Sequence, residues 1–288
     1  MPRLLTLNTH SLIEENYEQK CLDFAEAVEK LCPHVIALQE VNQTQGGRAV
    51  FPHPLGYVPC VTHPPLREDN HALRVVSLLR DMGLDYFFSW LPIKNGYGKY
   101  EEGVAILSLS PITAVYTCCV SRHDNPAHWK TRKILGITNE AYPHVRFYSV
   151  HYGWWQDREA PFANQWEATM RHLAGVQDVV LMGDFNNPAE LRNQGYDMVA
   201  SCGFYDTYSQ AARCYGSHTV PTDGGSIDGW HHLFHPKDGM RIDHIWTRRP
   251  HAVAEHRVVL DGVGGAVVSD HFGVFADVMF SHERKWFP

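Results

Sequence analysis

Short apolar runs that stop abruptly at an acid, an amide or a histidine recur along this chain. "RLLTLN" ends at Asn8, "HVIALQE" at Glu40, "HVRFYSVHYG" carries His151, and "DVVLMGDFN" delivers Asp184 and Asn186. Runs of this length bounded by polar or turn-forming residues predict buried strands. Between Glu14 and Cys32, the residues Cys21, Phe24, Ala25, Val28 and Leu31 recur at helical spacing, and Pro33 ends that helix. "NHALRVVSLLRDMG" predicts a second helix stopped at Gly83, and "APFANQWEATMRHLAG" a third. "PAELRNQGYDMVASCG" predicts a fourth, with Pro188 in its first turn. "GVAILSLSPI", "RIDHIWT", "AEHRVVLD" and "VSDHFGVFADVMF" are further strands, and "TQGGRAVFPHPLGYVPCVTHPP" is a long loop. Alternating strands and helices predict an α/β protein. With no internal repeat or linker composition, one domain over residues 1–288 is expected.

Composition narrows the partners. Lys and Arg total 25 against 32 acids, a formal net charge of −7, which lacks the strong basic footprint of a nucleic-acid-binding protein. The 7 cysteines are odd in number and show no metal-knuckle spacing, so reduced thiols are expected. The stretch "MPRLLTLNTH" has no signal-peptide pattern and no run reaches membrane-spanning length, so the expected location is cytoplasmic, away from membranes.

Taken one at a time, the polar residues at the strand ends have ordinary explanations. Asn8 and Asn186 suit turns, and Asp184 suits a helix cap. Together with Asp243 in "RIDHIW" and Asp270–His271 in "SDHFG" they form a set. Carboxyl ends of strands are where α/β sheets gather their sites. An amide oxygen with several carboxylates suits a hard cation such as Mg²⁺ or Mn²⁺, and phosphate oxygen is the usual partner of such a metal. Histidine beside a buried acid supplies proton transfer near neutral pH.

The motifs "TLNTH", "IALQEVN", "SVHYG", "MGDFNNP", "RIDHIW" and "SDHFG", in this order from Asn8 to His271, resemble the endonuclease/exonuclease/phosphatase superfamily. The resemblance implies a four-layer α/β/β/α sandwich, with two mixed sheets face to face and helices outside. It also implies roles. Glu40 is the principal metal ligand, with Asn8 and Asp270 completing the shell. Asp184 orients or deprotonates the attacking water, while Asn186 and His151 hold phosphoryl oxygens. His271, held by Asp243, acts on the phosphoryl group or in proton transfer. Glu102, in "YEEGVAIL", resembles the acid that some members set against the first histidine.

The segments outside the motifs bear on the substrate. They are rich in aromatic residues and histidine, and Trp154, Trp155 and Trp230 are candidates for gripping a sugar ring. Core burial is the alternative for each. The histidines His231, His232 and His235 fit no tight metal-ligand spacing and read as solvated. Arg122, Lys130, Arg132 and Lys133 either bind phosphate or form an ordinary solvated surface, and the surface reading is preferred here. "LLTLNTHSLIEE", "KYEEGVAILS", "HYGWW" and "GMRIDHIW" resemble a bacterial subgroup that includes maltose 6′-phosphate phosphatase. A phosphatase acting on a small sugar phosphate is therefore expected. A metal-dependent nuclease is the alternative, followed by a lipid-headgroup phosphodiesterase and a non-catalytic binding module.

Overall fold

The strand-forming runs are apolar on consecutive residues because both faces of each sheet are covered. The computed structural model describes residues 2–221 and 239–280. Among them are thirteen strands: β1 (Arg3–Asn8), β2 (Val35–Thr44), β3 (Phe87–Gly96), β4 (Tyr100–Ser108), β5 (Ile112–Cys119), β6 (Lys133–Asn139), β7 (Arg146–His151), β8 (Val179–Asp184), β9 (Tyr205–Asp206), β10 (Cys214–Tyr215), β11 (Asp243–Thr247), β12 (Ala252–Val259) and β13 (Gly273–Met279). The helices are α1 (Tyr17–Leu31), α2 (His71–Asp81), α3 (Phe162–His172), α4 (Gly195–Ser201) and α5 (Thr207–Gln210).

Seven strands pair in the order β10-β12-β13-β1-β2-β4-β3, and six in the order β5-β6-β7-β8-β11-β9. Strand alternation sorts the side chains into layers. In β1, Leu4 packs between the sheets, whereas Leu5 and Leu7 face α1 and α2 together with Phe24, Val28, Val75 and Leu79. In β8, Val180 and Met182 face the other sheet, whereas Val179 and Leu181 meet Phe162 and Trp166 of α3. The result is the four-layer α/β/β/α sandwich that the motifs implied.

Five strands escape the hydrophobic pattern: β3, which Pro92 interrupts, the pair β5 and β6, and the two-residue strands β9 and β10. The helix expected from Pro188 starts only at Gly195. Residues 188–193 are held instead to the next strand connection, where the Ala189 N–H donates to the Arg241 carbonyl and Asn193 adopts a left-handed φ of 60°. All 7 cysteines are free. No helix among the described residues is long and apolar enough to cross a membrane.

Candidate active site

Sheet register assembles the site. At the carboxyl ends of parallel β7 and β8, His151 lies opposite Asp184, and antiparallel β11 begins with Asp243 opposite the same Asp184. Three adjacent strands thus present an imidazole and two carboxylates abreast. They cap the inward face that Phe147, Val180, Met182 and Ile245 fill lower down. A buried polar layer separates apolar core from site: Gln39 Nε2 donates to Ser149 Oγ at 2.9 Å, and Ser149 Oγ to the Leu38 carbonyl at 3.0 Å. Thr6 Oγ1 donates to Gln39 Oε1 at 3.3 Å, so the Gln39 amide is bonded at both ends where the core meets the site.

The facing sheet contributes Asn8 and Glu40, by different means. Asn8 ends β1, and its amide Nδ2 donates to Glu40 Oε1 at 3.1 Å and to Asp184 Oδ2 at 3.2 Å, bridging the two sheets. Glu40 does not end its strand, which runs on to Thr44. The pairing of β2 with β4 shifts between Leu38 and Val41, and Glu40 has a left-handed φ of 52°. This bulge re-aims one side chain toward the site while the strand continues, a common use of bulges beside active sites.

Gly183 shows how tightly Asp184 is set. Its φ is +147°, and a Cβ there would lie 2.0 Å from the Val150 carbonyl oxygen and 2.9 Å from Gln39 Nε2. Gly183→Ala is expected to cost about 3 kcal/mol of stability, because backbone on the neighbouring strand cannot yield cheaply. Thermal or urea unfolding checks this; a loss under about 1 kcal/mol would show that the strands can part.

The two imidazoles are placed in opposite charge states. Burial, reinforced by the cations Arg132, Lys94 and His271, holds His151 well below the usual imidazole range. His151 is therefore neutral at pH 7, with Nε2 3.5 Å from Asp184 Oδ2. For His271, burial opposes the charge, but the Asp243 carboxylate overrides it, aided by Asp184 and Asp270, and raises the group well above that range. The His271 Nδ1–Asp243 Oδ2 distance is 2.9 Å, and Nε2 lies 4.0 Å from Asp184 Oδ2. Asp184 itself is raised by burial and by Asp243, with His271, the Asn186 N–H and Asn8 pulling it back.

Asn186 reaches the cavity through a turn, not through strand alternation. The strand ends at Asp184, Asn186 has a left-handed φ of 49°, and its N–H donates to Asp184 Oδ1 at 2.8 Å. Its Nδ2 donates to the Tyr152 carbonyl at 3.0 Å. Asn187 is buried, with Gly195 packed against its side chain.

Glu102 is buried at the cavity but is not set against His151. Its Oε1 pairs with Lys94 Nζ at 3.1 Å, because β3 brings Lys94 opposite Glu102. Glu40 is raised by burial first, then by the carboxylates of Glu102 and Asp270, with Lys94 and His10 acting the other way. Burial likewise opposes charge on His10, yet its hydrogen bond to Glu14 (2.7 Å), with Asp270 and Glu40, raises it to about 9.

The cavity is lined by Glu40, Asp184, Asn186, Asp270, His151 and His271, and also by Lys94, Trp129, Arg132 and Trp154. Of the three candidate tryptophans, Trp154 lines this cavity. Trp155 packs instead toward the helix-covered cluster of Phe162 and Trp166 and is absent from the lining. Trp230 lies outside the described residues, as do His231, His232 and His235. The surface reading fails for Arg132, which is only 3% exposed. Lys130 is ion-paired with Asp157 at 2.8 Å and Lys133 with Asp124 at 2.5 Å, while Arg122 is exposed. Trp129 is 54% exposed and stands 6.1 Å from Trp154, ring centre to ring centre. Neither Lys94 nor Trp129 carries a sequence signal, since each reaches the cavity through a loop or strand pairing that no local pattern encodes.

The profile of the endonuclease/exonuclease/phosphatase family matches residues 5–271. The chain belongs to this family. Family members are metal-dependent phosphoester hydrolases. Among solved structures, a family protein from Leptotrichia buccalis is similar at 28% identity, covering 97% of this chain and 100% of that one, with a TM-score of 0.84. A mannosyl-6-phosphatase from Bacteroides thetaiotaomicron shares the fold at 16% identity and a TM-score of 0.63, over 97% of this chain and 100% of the other. A 3′ phosphatase from Neisseria bound to a product DNA hairpin does so at 20% identity and 0.61, again over 97% and 100%. No curated protein matches the chain.

The residues present fit the divalent metal that the family implies. Asn8, Glu40 and Asp270 offer oxygen donors, and the carboxylates of Glu40, Glu102 and Asp270 crowd one another enough to raise Glu40. A hard cation relieves such crowding. Asp184, Asp243 and His271 form a second, buried group whose candidate donor atoms lie within 4.8 Å of one another.

Proposed function

We infer that the chain is a metal-dependent phosphomonoesterase that releases inorganic phosphate from a small sugar phosphate of the maltose 6′-phosphate kind. The observation that carries this reading is the cavity itself, where phosphate-handling groups lie under a rim formed by Trp129 and Trp154. An aromatic face beside polar groups suits the apolar face and hydroxyls of a sugar ring. The cavity measures about 230 Å³, the scale of a small phosphorylated molecule and not of a groove that tracks a duplex.

In this reading Asn8, Glu40 and Asp270 would hold Mg²⁺ or Mn²⁺, and the bound cation would supply charge that offsets the phosphoryl group. Asp184 orients the attacking water and takes its proton as the new P–O bond forms and the bond to the sugar oxygen breaks. The sugar oxygen leaves as the alcohol after gaining a proton. Charged His271 and the Asn186 amide face the phosphoryl oxygens, where negative charge grows. Neutral His151 can donate one hydrogen bond there without adding a positive charge. Burial of this set removes competing water and strengthens each contact.

The test is phosphate release across sugar phosphates, nucleotides and inositol phosphates with Mg²⁺, alongside plasmid DNA. Turnover of a sugar phosphate that EDTA abolishes and Mg²⁺ restores is the expected result. Plasmid nicking that outpaces every phosphomonoester would replace this reading with a nuclease.

A further inference from the structure

Arg132 is a buried cation with a donor edge that no protein group among the described residues uses. It lines the same cavity as His151, Asp184 and His271 while being only 3% exposed. Its Nη1 donates to the carbonyls of Trp129 and Thr131, each at 3.2 Å. Its own N–H donates to Ser121 Oγ at 2.9 Å, and its carbonyl accepts from the Val120 and Ser121 N–H groups. The backbone and one end of the guanidinium are therefore fixed. The other edge is free: Nε is buried without a partner, and Nη2 has none among the described residues.

The other cations in the cavity wall are neutralised one to one. Lys94 pairs with Glu102 at 3.1 Å and His271 with Asp243 at 2.9 Å. No carboxylate lies within ion-pair distance of Arg132 among the described residues. A buried guanidinium held this way costs solvation free energy that the protein alone does not return. The Nε–Nη2 edge presents two parallel N–H donors, the geometry that meets two oxygens of a phosphoryl group.

We propose that Arg132 is a substrate-binding residue whose Nε–Nη2 edge grips a terminal phosphoryl group and biases the site toward phosphate monoesters over diesters. This rests on the phosphatase reading above and specifies the charge form of its substrate. A monoester near neutral pH carries close to two negative charges and three non-bridging oxygens. A diester carries one charge and two such oxygens, one fewer for a fixed fork to engage. Arg132 also ties phosphate recognition to the rim, because one of its two anchoring carbonyls belongs to Trp129.

The experiment compares Arg132→Lys and Arg132→Met with wild type, all loaded with Mg²⁺. It measures kcat/KM for 4-nitrophenyl phosphate and for bis(4-nitrophenyl) phosphate, and inhibition by inorganic phosphate. Both variants are expected to lose about 10- to 100-fold on the monoester and to bind inorganic phosphate at least about tenfold more weakly. The diester loss should be smaller by about tenfold or more, and added methylguanidinium should partly restore the monoester rate of Arg132→Met. Rescue separates a missing donor edge from a misfolded variant, and Arg132→Lys keeps the charge while removing the fork. If wild type cleaves monoesters but the variants lose both substrates equally, or keep their phosphate affinity, this inference falls and the phosphatase reading stands. If wild type cleaves the diester and no monoester, both fall.

Discussion

Asp184→Asn is expected to lower kcat for phosphate release by about 10³-fold, with KM changed only a few-fold. The substitution keeps the size and the Oδ1 acceptor used by the Asn186 N–H, so the turn after β8 survives. It converts the other carboxylate oxygen into an N–H₂ donor. That oxygen accepts from Asn8 Nδ2 at 3.2 Å and from Asn186 Nδ2 at 3.2 Å, so donors would meet donors. It also removes the negative charge from between His151 and His271. A group made only to carry a proton or orient water lowers kcat when lost, whereas a group that binds substrate raises KM. Steady-state phosphate release decides between these. A variant that keeps more than about a tenth of wild-type kcat would remove Asp184 from the proton-transfer role.

Asp243→Asn is expected to lower kcat by about 10²-fold and to shift the alkaline limb of the pH–rate profile toward acid. Asp243 is buried and bonds His271 Nδ1, and its carboxylate is the main reason that His271 stays charged. The sign follows from linkage. A histidine raised in the folded state contributes stability in full below its unfolded pKa of about 6.5, and that contribution is lost as pH rises through the folded value. Without the carboxylate the folded value drops, so His271 loses its proton at lower pH and activity that needs the imidazolium fades earlier. The amide also leaves the ring free to take the other tautomer. An unchanged alkaline limb would show that the charge on His271 is not used.

Much of the site is legible in the chain because its residues lie at the ends of apolar runs. A strand buried on both faces must be apolar throughout, so a polar residue such as Asn8, His151 or Asp184 stands out where the core ends. The order of the motifs carries the family, and with it the four-layer sandwich. The pattern fails where pairing across the sheets makes the decision. Lys94 acquires its meaning from lying opposite Glu102 on β4, and Pro92 hides the strand that carries it. Glu102 reads as a partner for His151 until that same pairing gives it to Lys94. Arg132 sits in a basic run that looks like solvated surface, and its burial depends on Ser121, Trp129 and the cavity beyond.

Local sequence thus encodes which residues can be buried, where strands end and which chemical groups stand at those ends, because side-chain alternation and turn formation are short-range properties. Register, the bulge at Glu40 and the partner of each charge depend on hydrogen bonds between segments far apart in the chain, such as Asn8 with Asp184 and His271 with Asp243. The charge states of the two imidazoles arise from those same long-range neighbours. Burial, reinforced by Arg132, Lys94 and His271, keeps His151 neutral, whereas the Asp243 carboxylate overrides burial at His271, so identical side chains enter the site neutral and charged.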